Sequence, residues 1–399
     1  MKRPVVLTLS DYYRPGYKAG GPITTIVNMV SRLSSDFQFK IVTRDRDFGD
    51  RSPYENLEPN CWHPLDNADV CYLRPGMKGS RSLSQILNSF EYDLLYLNSL
   101  FSRAFTIRPL VLRKMGRIPK LPTVLAPRGE LGLGALKLKA FKKQAYLRMA
   151  GRIGLYRDLL WQASSAHEES DIRRWFGKQA SIEIAPDLAG MPTAIGEDDY
   201  YSDKQPGSIR LLFLSRVCEK KNLAGALAML QNLRGDIEFD IVGPLEDESY
   251  WNKCQDLIRT LPSNIKVKYA GIVTPAEVPG LMRNHDLFFL PTFSENFGHV
   301  ILEALSEGCP VLISDQTAFR DLQSQGAGWD LPLEQKDAFG NILQECIGMT
   351  SEQLTTLRKT ARAYAERYAS RDDVTLQKNR SLFLLALGID TSNEKFPTQ

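Results

Sequence analysis

The sequence predicts two tandem α/β domains, each built on a doubly wound parallel sheet of the Rossmann-like type. The chain has 399 residues, 43% of them hydrophobic and 24% charged, and this length favours two hydrophobic cores over one. Short apolar runs alternate with helical patterns along the chain. Near-continuous apolar strands separated by helices are typical of parallel sheets that are covered on both faces.

The apolar runs form two series. The strands predicted in the first series are 4–9, 39–44, 69–74, 92–98 and 122–127, with an amphipathic helix at 24–33. The strands predicted in the second series are 208–216, 237–243, 265–271, 286–292 and 309–315. Between the two series, 186–208 is rich in Pro, Gly and acidic residues and lacks periodicity, which predicts a linker.

Two helical patterns, 351–369 and 372–387, close the chain. We therefore expect an N-terminal domain over 1–188 and a C-terminal domain over 189–371. The last segment, 372–399, is expected to carry a helix that crosses back to the first domain, followed by a polar tail.

Composition excludes several classes of protein. A net charge of +3 is too small to indicate nucleic-acid binding. The six cysteines are scattered without a C-x-x-C pair, so we expect free, mostly buried thiols in a reducing compartment, and no bound metal. The apolar run after Met1 is too short for a signal peptide, and no window approaches the ~18 apolar residues of a membrane span. We expect a cytoplasmic protein.

Two glutamates stand eight positions apart in PTFSENFGHVILEALSEGCPVLISD, residues 291–315. Glu295 falls in a strand-to-helix loop, and Glu303 about one and a half turns into a helix that ends at Gly308. Between them, the backbone N–H groups of Phe297 and its neighbours begin the helix, where phosphate binds favourably. A carboxylate, a phosphate cradle and a second carboxylate fit a nucleotide-diphosphate sugar.

Two cations follow the first strand of the second domain. In SRVCEKKN, Arg216 and Lys221 lie just past the carboxyl end of that strand, where ligands of open α/β sheets bind. A guanidinium and an ammonium together can neutralise a departing diphosphate.

The Glu-x7-Glu pattern, together with Arg216 and Lys221, resembles the retaining glycosyltransferases of the GT-B fold, family 4. DIVGP (240–244) and YAGIV (269–273) stand where that family has its nucleotide pocket. The pair Gly20-Gly21 is similar to the family's first-domain glycine loop. The resemblance covers most of the chain, is strongest over roughly 208–315, and implies two Rossmann-like domains that face a cleft.

The resemblance also implies residue roles. Glu303 should bind the ribose, Arg216 and Lys221 the diphosphate, and Glu295 the donor sugar. Gly20 and Gly21 should approach the donor phosphate or the acceptor across the cleft, and Gly271 and Ile272 should line the base pocket. The nucleotide-sugar-binding positions that the resemblance implies are Gly20, Gly21, Gly243, Gly271, Ile272, Phe297, Gly298, His299, Val300 and Glu303.

One position departs from the family pattern. Many members carry a histidine after a first-domain strand, where LAPRGELG places Arg128. Arginine does not titrate near neutral pH, so a catalytic Arg128 would stabilise charge or bind the acceptor rather than transfer a proton. An ion pair within the Arg128–Glu130 turn is the alternative.

The implied activity is transfer of a sugar, with retention, from a UDP- or GDP-linked donor to a saccharide acceptor. In this family the acceptor is often lipid-linked, and we expect a role in bacterial surface polysaccharide biosynthesis. No cofactor and no metal are implied. Residues 137–157 hold seven cations and no acid, which indicates either contact with an anionic membrane surface or a solvated helix face.

Three alternatives remain. A GT-B sugar epimerase would need catalytic acids in the cleft, and a phosphorylase would need a longer chain. A non-catalytic nucleotide- or membrane-binding scaffold would be expected to have lost one of the four charged residues Arg216, Lys221, Glu295 and Glu303. An NAD-dependent enzyme is disfavoured because no G-x-G-x-x-G follows the first strand.

Overall fold

The computed structural model describes most of the chain, namely residues 2–132, 140–190, 203–370 and 372–389. The chain divides into two compact units. Unit 1 comprises Met1–Leu188 and Asp372–Gln399, and unit 2 comprises Ala189–Arg371. Each unit contains one sheet flanked by helices. The predicted fold class, two Rossmann-like α/β units of the GT-B type, is confirmed.

The sheet of unit 1 has eight strands in the order β3-β4-β2-β1-β5-β6-β7-β8. Its strands are Val5–Leu9 (β1), Gln38–Arg44 (β2), Trp62–Leu65 (β3), Ala68–Leu73 (β4), Leu94–Asn98 (β5), Thr123–Ala126 (β6), Leu160–Ala163 (β7) and Ser181–Ile184 (β8). Strand β3 pairs antiparallel with β4. One edge of this sheet is therefore antiparallel, whereas a wholly parallel sheet was predicted. The sequence pattern missed β3 because Pro64 interrupts it, and proline is tolerated in a strand at the edge of a sheet.

Helices cover both faces of this sheet. They are Gly21–Leu33 (α1), Gly76–Ser89 (α2), Arg108–Lys114 (α3), Ala140–Arg152 (α4) and Ala166–Phe176 (α5), with a π-helical turn at Arg103–Ile107 before α3. An aromatic cluster lies in the core of this unit, where Trp161 is 1% exposed and stacks on Phe176 at 4.5 Å between ring centroids.

The sheet of unit 2 has six strands, all parallel, in the order β11-β10-β9-β12-β13-β14. These are Ser208–Leu214 (β9), Asp236–Val242 (β10), Ile265–Gly271 (β11), Leu287–Leu290 (β12), Val311–Ser314 (β13) and Gly328–Leu331 (β14). Strand β9 is central, with β10 on one side and β12 on the other. The strand order therefore reverses at β9, and ligands of open α/β sheets bind beside the carboxyl ends of the strands at such a reversal.

The helices of unit 2 are Leu223–Leu230 (α6), Glu248–Arg259 (α7), Val278–Arg283 (α8), His299–Ser306 (α9), Lys336–Gly348 (α10) and Ser351–Ser370 (α11). The closing helix, Asp372–Ala386 (α12), packs in unit 1, where Phe383 makes ring contacts with Phe37 at 5.4 Å and with Tyr96 at 5.2 Å. Among the described residues, no helix is both long and apolar enough to cross a membrane. All six cysteines are free, and four of them are buried.

Candidate active site

The loop after β9 carries the two predicted cations of unit 2. Arg216 stands two residues past the end of the strand, and its Nη1 donates to Glu246 Oε2 at 2.7 Å. Lys221 ends a short 3-10 turn, Glu219–Lys221, and its ammonium donates a hydrogen bond to the carboxylate of Glu295. The side chains of Lys221 and Glu295 are each 11% exposed. The structure thus joins two residues that lie 74 positions apart in the sequence.

Backbone contacts hold the β12 loop against the β9 loop. The N–H of Phe293 donates to Lys220 O at 2.9 Å, and Thr292 Oγ1 donates to the same carbonyl at 3.1 Å. The N–H of Glu295 donates to Gln316 O at 2.9 Å, which ties this loop to the end of β13 as well. The ion pair is therefore fixed from both sides by main-chain hydrogen bonds.

Glu303 is the fifth residue of α9, one turn from its start rather than the expected one and a half. Its partly buried carboxyl has no hydrogen-bond donor and no cationic partner within the described residues. Burial, and to a smaller extent the charge of Glu307, raises the pKa of Glu303 from its ordinary value of 4.5 to about 7. Glu307 itself is paired with Arg283. Gly308, with φ +69°, follows the end of the helix as predicted.

Aromatic contacts hold the start of α9 in place. Gly298 has φ +88° and precedes the first helical residue, a backbone shape that glycine adopts readily. Phe297 lies 4.6 Å from the ring of His299 and 6.0 Å from that of Phe319. Val300 is partly buried against the core. The positive end of the helix dipole therefore lies one turn before Glu303.

Strands β10 and β11, which lie on the other side of β9 from β12, end close together. The N–H of Gly243 donates to Gly271 O at 2.7 Å, which joins the loops after β10 and β11. A Cβ on Gly243 would lie 2.1 Å from Ser215 O, so the backbone of the β9 loop approaches this position too closely for a side chain. Ile272, the next residue after β11, is 42% exposed. The predicted base-pocket residues thus share one sheet edge with Arg216.

In unit 1 the glycine pair stands at the start of α1, which begins three residues before the predicted helix. Gly20 has φ +67° and precedes Gly21, the first helical residue. No atom lies within 4 Å of a Cβ built on Gly20, so this position opens onto free space. The carboxylate of Asp47 accepts hydrogen bonds from Tyr17 N at 2.7 Å and from Lys18 N at 3.0 Å, which holds the loop that leads to the glycines.

Arg128 lies in the interior of unit 1. Its guanidinium forms an ion pair with Asp187 and donates to Tyr96 Oη at 2.5 Å and to Asn98 Oδ1 at 2.9 Å. Its side chain is 11% exposed. Glu130 instead accepts from Ser99 Oγ at 2.8 Å and from backbone N–H groups. The alternative of an ion pair within the Arg128–Glu130 turn is therefore wrong, because each charge is taken by a different partner.

No cluster of three His, Cys, Asp or Glu side chains in the described parts of the chain is placed to hold a metal ion. An Asp-x-Asp sequence is present at Asp45 and Asp47. Both carboxylates are engaged by protein groups, Asp45 by Arg46 Nε at 2.8 Å and Asp47 by the N–H groups of the glycine loop.

The basic segment forms α4 from residue 140 onwards, while 137–139 lie outside the described residues. One side of α4 packs Leu147 and Ala150 into the core. The opposite side exposes Phe141 by 85% and Met149 by 53%, and the exposed side chains around them include the cations Lys142, Arg148 and Arg152.

Two α/β units of this kind, with charged residues at the carboxyl ends of the second sheet, have the architecture of the GT-B fold. Residues 198–364, less than half of the chain, match the family described as glycosyl transferases group 1. A phosphatidyl-myo-inositol mannosyltransferase of Mycolicibacterium smegmatis is 30% identical over 198 residues, which are 48% of this chain and 49% of that protein. The chain thus spans about half the length of this relative.

Solved structures show the same fold over nearly the whole chain. Sucrose-phosphate synthase from Thermosynechococcus elongatus superposes with a TM-score of 0.73 at 16% identity, covering 96% of this chain and 99% of that one. Anabaena HepE in complex with UDP-glucose superposes with a TM-score of 0.66 at 17% identity, covering 96% and 100%. At these identities the likeness establishes the fold.

Two charged residues beside the predicted cations were not predicted as site residues, Glu246 and Lys220. Glu246 neutralises Arg216, and no sequence pattern connects the two positions. Lys220 lies between the two predicted cations in the sequence and is partly buried. It was not chosen because the five-residue spacing from Arg216 favoured Lys221. The contact of its carbonyl with the β12 loop could only be found in the structure.

Proposed function

We propose that this chain transfers a sugar, with retention of anomeric configuration, from a nucleotide-diphosphate sugar to a saccharide acceptor. The observation that carries the proposal is Glu303: a partly buried carboxyl that has no hydrogen-bond donor or cation beside it among the described residues, one turn from a helix N-terminus. Carboxylates kept in such a position bind hydroxyl groups, and the ribose of a nucleotide supplies two neighbouring ones. Glu303 is thus the ribose ligand in this proposal.

The other residues of unit 2 are assigned around it. Arg216 and Lys221 bind the diphosphate together with the start of α9, at Phe297, Gly298, His299 and Val300. Glu295 binds the donor sugar. The loops after β10 and β11, with Gly243, Gly271 and Ile272, accommodate the base of a UDP- or GDP-linked donor.

Two sites of unit 1 complete the proposal. Gly20 and Gly21, with open space at Gly20, let a phosphate or an acceptor approach the backbone closely. Arg128 contributes positive charge or acceptor contacts, with its guanidinium oriented by Asp187, Tyr96 and Asn98.

In the proposed step, the bond between the anomeric carbon and the diphosphate oxygen breaks, and the electron pair remains on that oxygen. The acceptor oxygen bonds to the same face of the sugar, and its proton passes to the departing diphosphate. No protein nucleophile takes part. The protein contributes by positioning the reactants and by stabilising the charge of the leaving group.

We further propose a lipid-linked acceptor, used in bacterial surface polysaccharide biosynthesis at the cytoplasmic face of the membrane. Two observations support a membrane partner. The name of one relative, phosphatidyl-myo-inositol mannosyltransferase, includes a lipid, and α4 exposes an apolar stripe to solvent on the side away from the core. Phe141 and Met149 lie eight residues apart on that stripe, and the surrounding cations complement anionic headgroups.

Turnover tests the activity. Purified protein is incubated with UDP-, GDP-, ADP- and CMP-linked sugars and a membrane extract containing lipid-linked saccharides, and release of free nucleotide is measured. We expect turnover with one donor class, loss of it in Glu295→Gln and Glu303→Gln, and wild-type turnover in Glu345→Gln, an exposed glutamate of α10. Nucleotide binding without turnover of any donor would favour the scaffold alternative.

Vesicle binding tests the membrane partner separately. Co-sedimentation compares vesicles of phosphatidylcholine with phosphatidylglycerol against vesicles of phosphatidylcholine alone. The double variant Phe141→Ala, Met149→Ala should bind the anionic vesicles less tightly than wild type, whereas Val374→Ala, an exposed apolar residue of α12, should not. Equal binding of all three proteins would contradict the assignment of this surface.

A further inference from the structure

The loop after β9 holds three cations within residues 216–221, and two of them are already neutralised by carboxylates. Arg216 pairs with Glu246 at 2.7 Å, and Lys221 pairs with Glu295. The third is Lys220. Its side chain makes no hydrogen bond and no ion pair with any of the described residues, although the side chain is partly buried.

The position of Lys220 is fixed by its own backbone. Its carbonyl accepts hydrogen bonds from the N–H of Phe293 and from the hydroxyl of Thr292. The main chain of Lys220 is therefore ordered before an anion binds, and the surrounding protein has already removed part of the hydration of its side chain. Burial, together with the charges of Lys221 and Arg216, lowers its pKa, and Glu295 partly offsets this. An anion bound here would relieve the repulsion among the three cations.

We propose that the Lys220 ammonium is a phosphate-binding group of the donor site, additional to Arg216 and Lys221. Among the described residues it is the cation of this loop that forms no ion pair, so it interacts most directly with the diphosphate of the nucleotide sugar. Lys221 serves in part to hold Glu295. This inference rests on the proposed function and adds a residue to it.

Titration calorimetry tests the assignment with UDP, GDP and the matching nucleosides on wild type, Lys220→Ala, Lys220→Arg and Lys253→Ala. Lys253 is an exposed lysine of α7 in the same unit. We expect Lys220→Ala to weaken binding of the preferred nucleoside diphosphate on the order of 10-fold, with nucleoside binding unchanged. We also expect a shallower dependence of log Kd on log salt concentration, because one charged contact is lost. Lys220→Arg should recover part of the affinity, and Lys253→Ala should behave as wild type.

Failure of the Lys220 assignment can be distinguished from failure of the proposed function. If wild type binds no nucleoside diphosphate, the proposed function fails first and the Lys220 assignment with it. If wild type binds one and Lys220→Ala binds it equally well, only the Lys220 assignment is overturned. Equal weakening of nucleoside diphosphate and nucleoside would show a structural role for Lys220 and would also overturn it.

Discussion

The ammonium of Lys221 donates a hydrogen bond to the carboxylate of Glu295, and both side chains are nearly removed from solvent. The two residues come from loops after neighbouring parallel strands, β9 and β12, so their contact forms only when unit 2 has folded. This ion pair links a predicted phosphate ligand to a predicted sugar ligand. Removing either residue therefore affects both the free energy of unfolding and the geometry of the site.

Removal of Lys221 alone should destabilise the protein strongly. Lys221→Met leaves the Glu295 carboxylate buried without its partner, and we expect a loss of about 3 kcal/mol in the free energy of unfolding. The double variant Lys221→Met, Glu295→Gln should lose clearly less than the sum of the single variants. Urea denaturation measures all four proteins. Additive losses would contradict the coupling.

Glu303 should make stability and nucleotide binding respond to pH in opposite directions. Its pKa is raised from 4.5 to about 7, so the folded state holds the proton more tightly than the unfolded chain. The stability from this group is present below pH 4.5 and is lost as pH rises through about 7. The unfolding temperature of Glu303→Gln minus that of wild type should therefore increase as pH rises from 4.5 to above about 7.

Nucleotide affinity should increase over the same range, because an ionised carboxylate accepts stronger hydrogen bonds from ribose hydroxyls. Calorimetric Kd values at several pH values, compared between wild type and Glu303→Gln, separate this effect from titration of the phosphates. A constant ratio of the two Kd values across pH would contradict the ribose role of Glu303.

Two glycines at the same sheet edge should differ in their tolerance of alanine. Gly243 has φ +134°, and a Cβ there would lie 2.1 Å from a backbone oxygen, so Gly243→Ala should cost about 3 kcal/mol or more. Gly271 has φ +78° and open space around it, so Gly271→Ala should cost only about 1 kcal/mol. Thermal unfolding compares the two variants, and equal losses would be inconsistent with the close approach at Gly243.

Arg128 should matter for the stability of unit 1 and not for nucleotide binding to unit 2. Arg128→Met removes the cation that pairs with the buried carboxylate of Asp187 and should cost about 3 kcal/mol. Arg128→Lys should recover only part of this, because an ammonium cannot reproduce the planar fork that contacts Tyr96 and Asn98 as well. Denaturation measures the effect on stability, and the Kd of the preferred nucleoside diphosphate measures the effect on binding. Loss of affinity at unchanged stability would contradict this prediction.

The ten strands predicted from apolar runs are all present, with ends that differ by at most two residues, because buried parallel strands are marked by continuous apolar sequence. Strands β3, β7, β8 and β14 were not predicted. Their four-residue segments contain polar residues or proline, such as Gln162 in β7, so local sequence does not distinguish them from loops.

In the candidate site, likewise, some residues could be predicted from the sequence and their contacts could not. Family motifs pointed to Glu295, Glu303 and Lys221, which stand within or just after recognisable strands and helices. Sequence could not show that Lys221 pairs with Glu295 or that Arg128 pairs with Asp187, 59 positions away. Such partners depend on which strands become neighbours, and that follows from tertiary packing.

Thermal shift with UDP, GDP, ADP and CMP, on wild type, Glu303→Gln and Glu345→Gln, tests the central claim most directly. A nucleotide at 100 times its Kd should add about 2.7 kcal/mol to stability. We predict that one nucleoside diphosphate stabilises wild type and Glu345→Gln, and that Glu303→Gln loses most of this stabilisation. Stabilisation of Glu303→Gln equal to that of wild type, or no stabilisation of wild type by any nucleotide, would contradict a nucleotide-sugar site at Glu303.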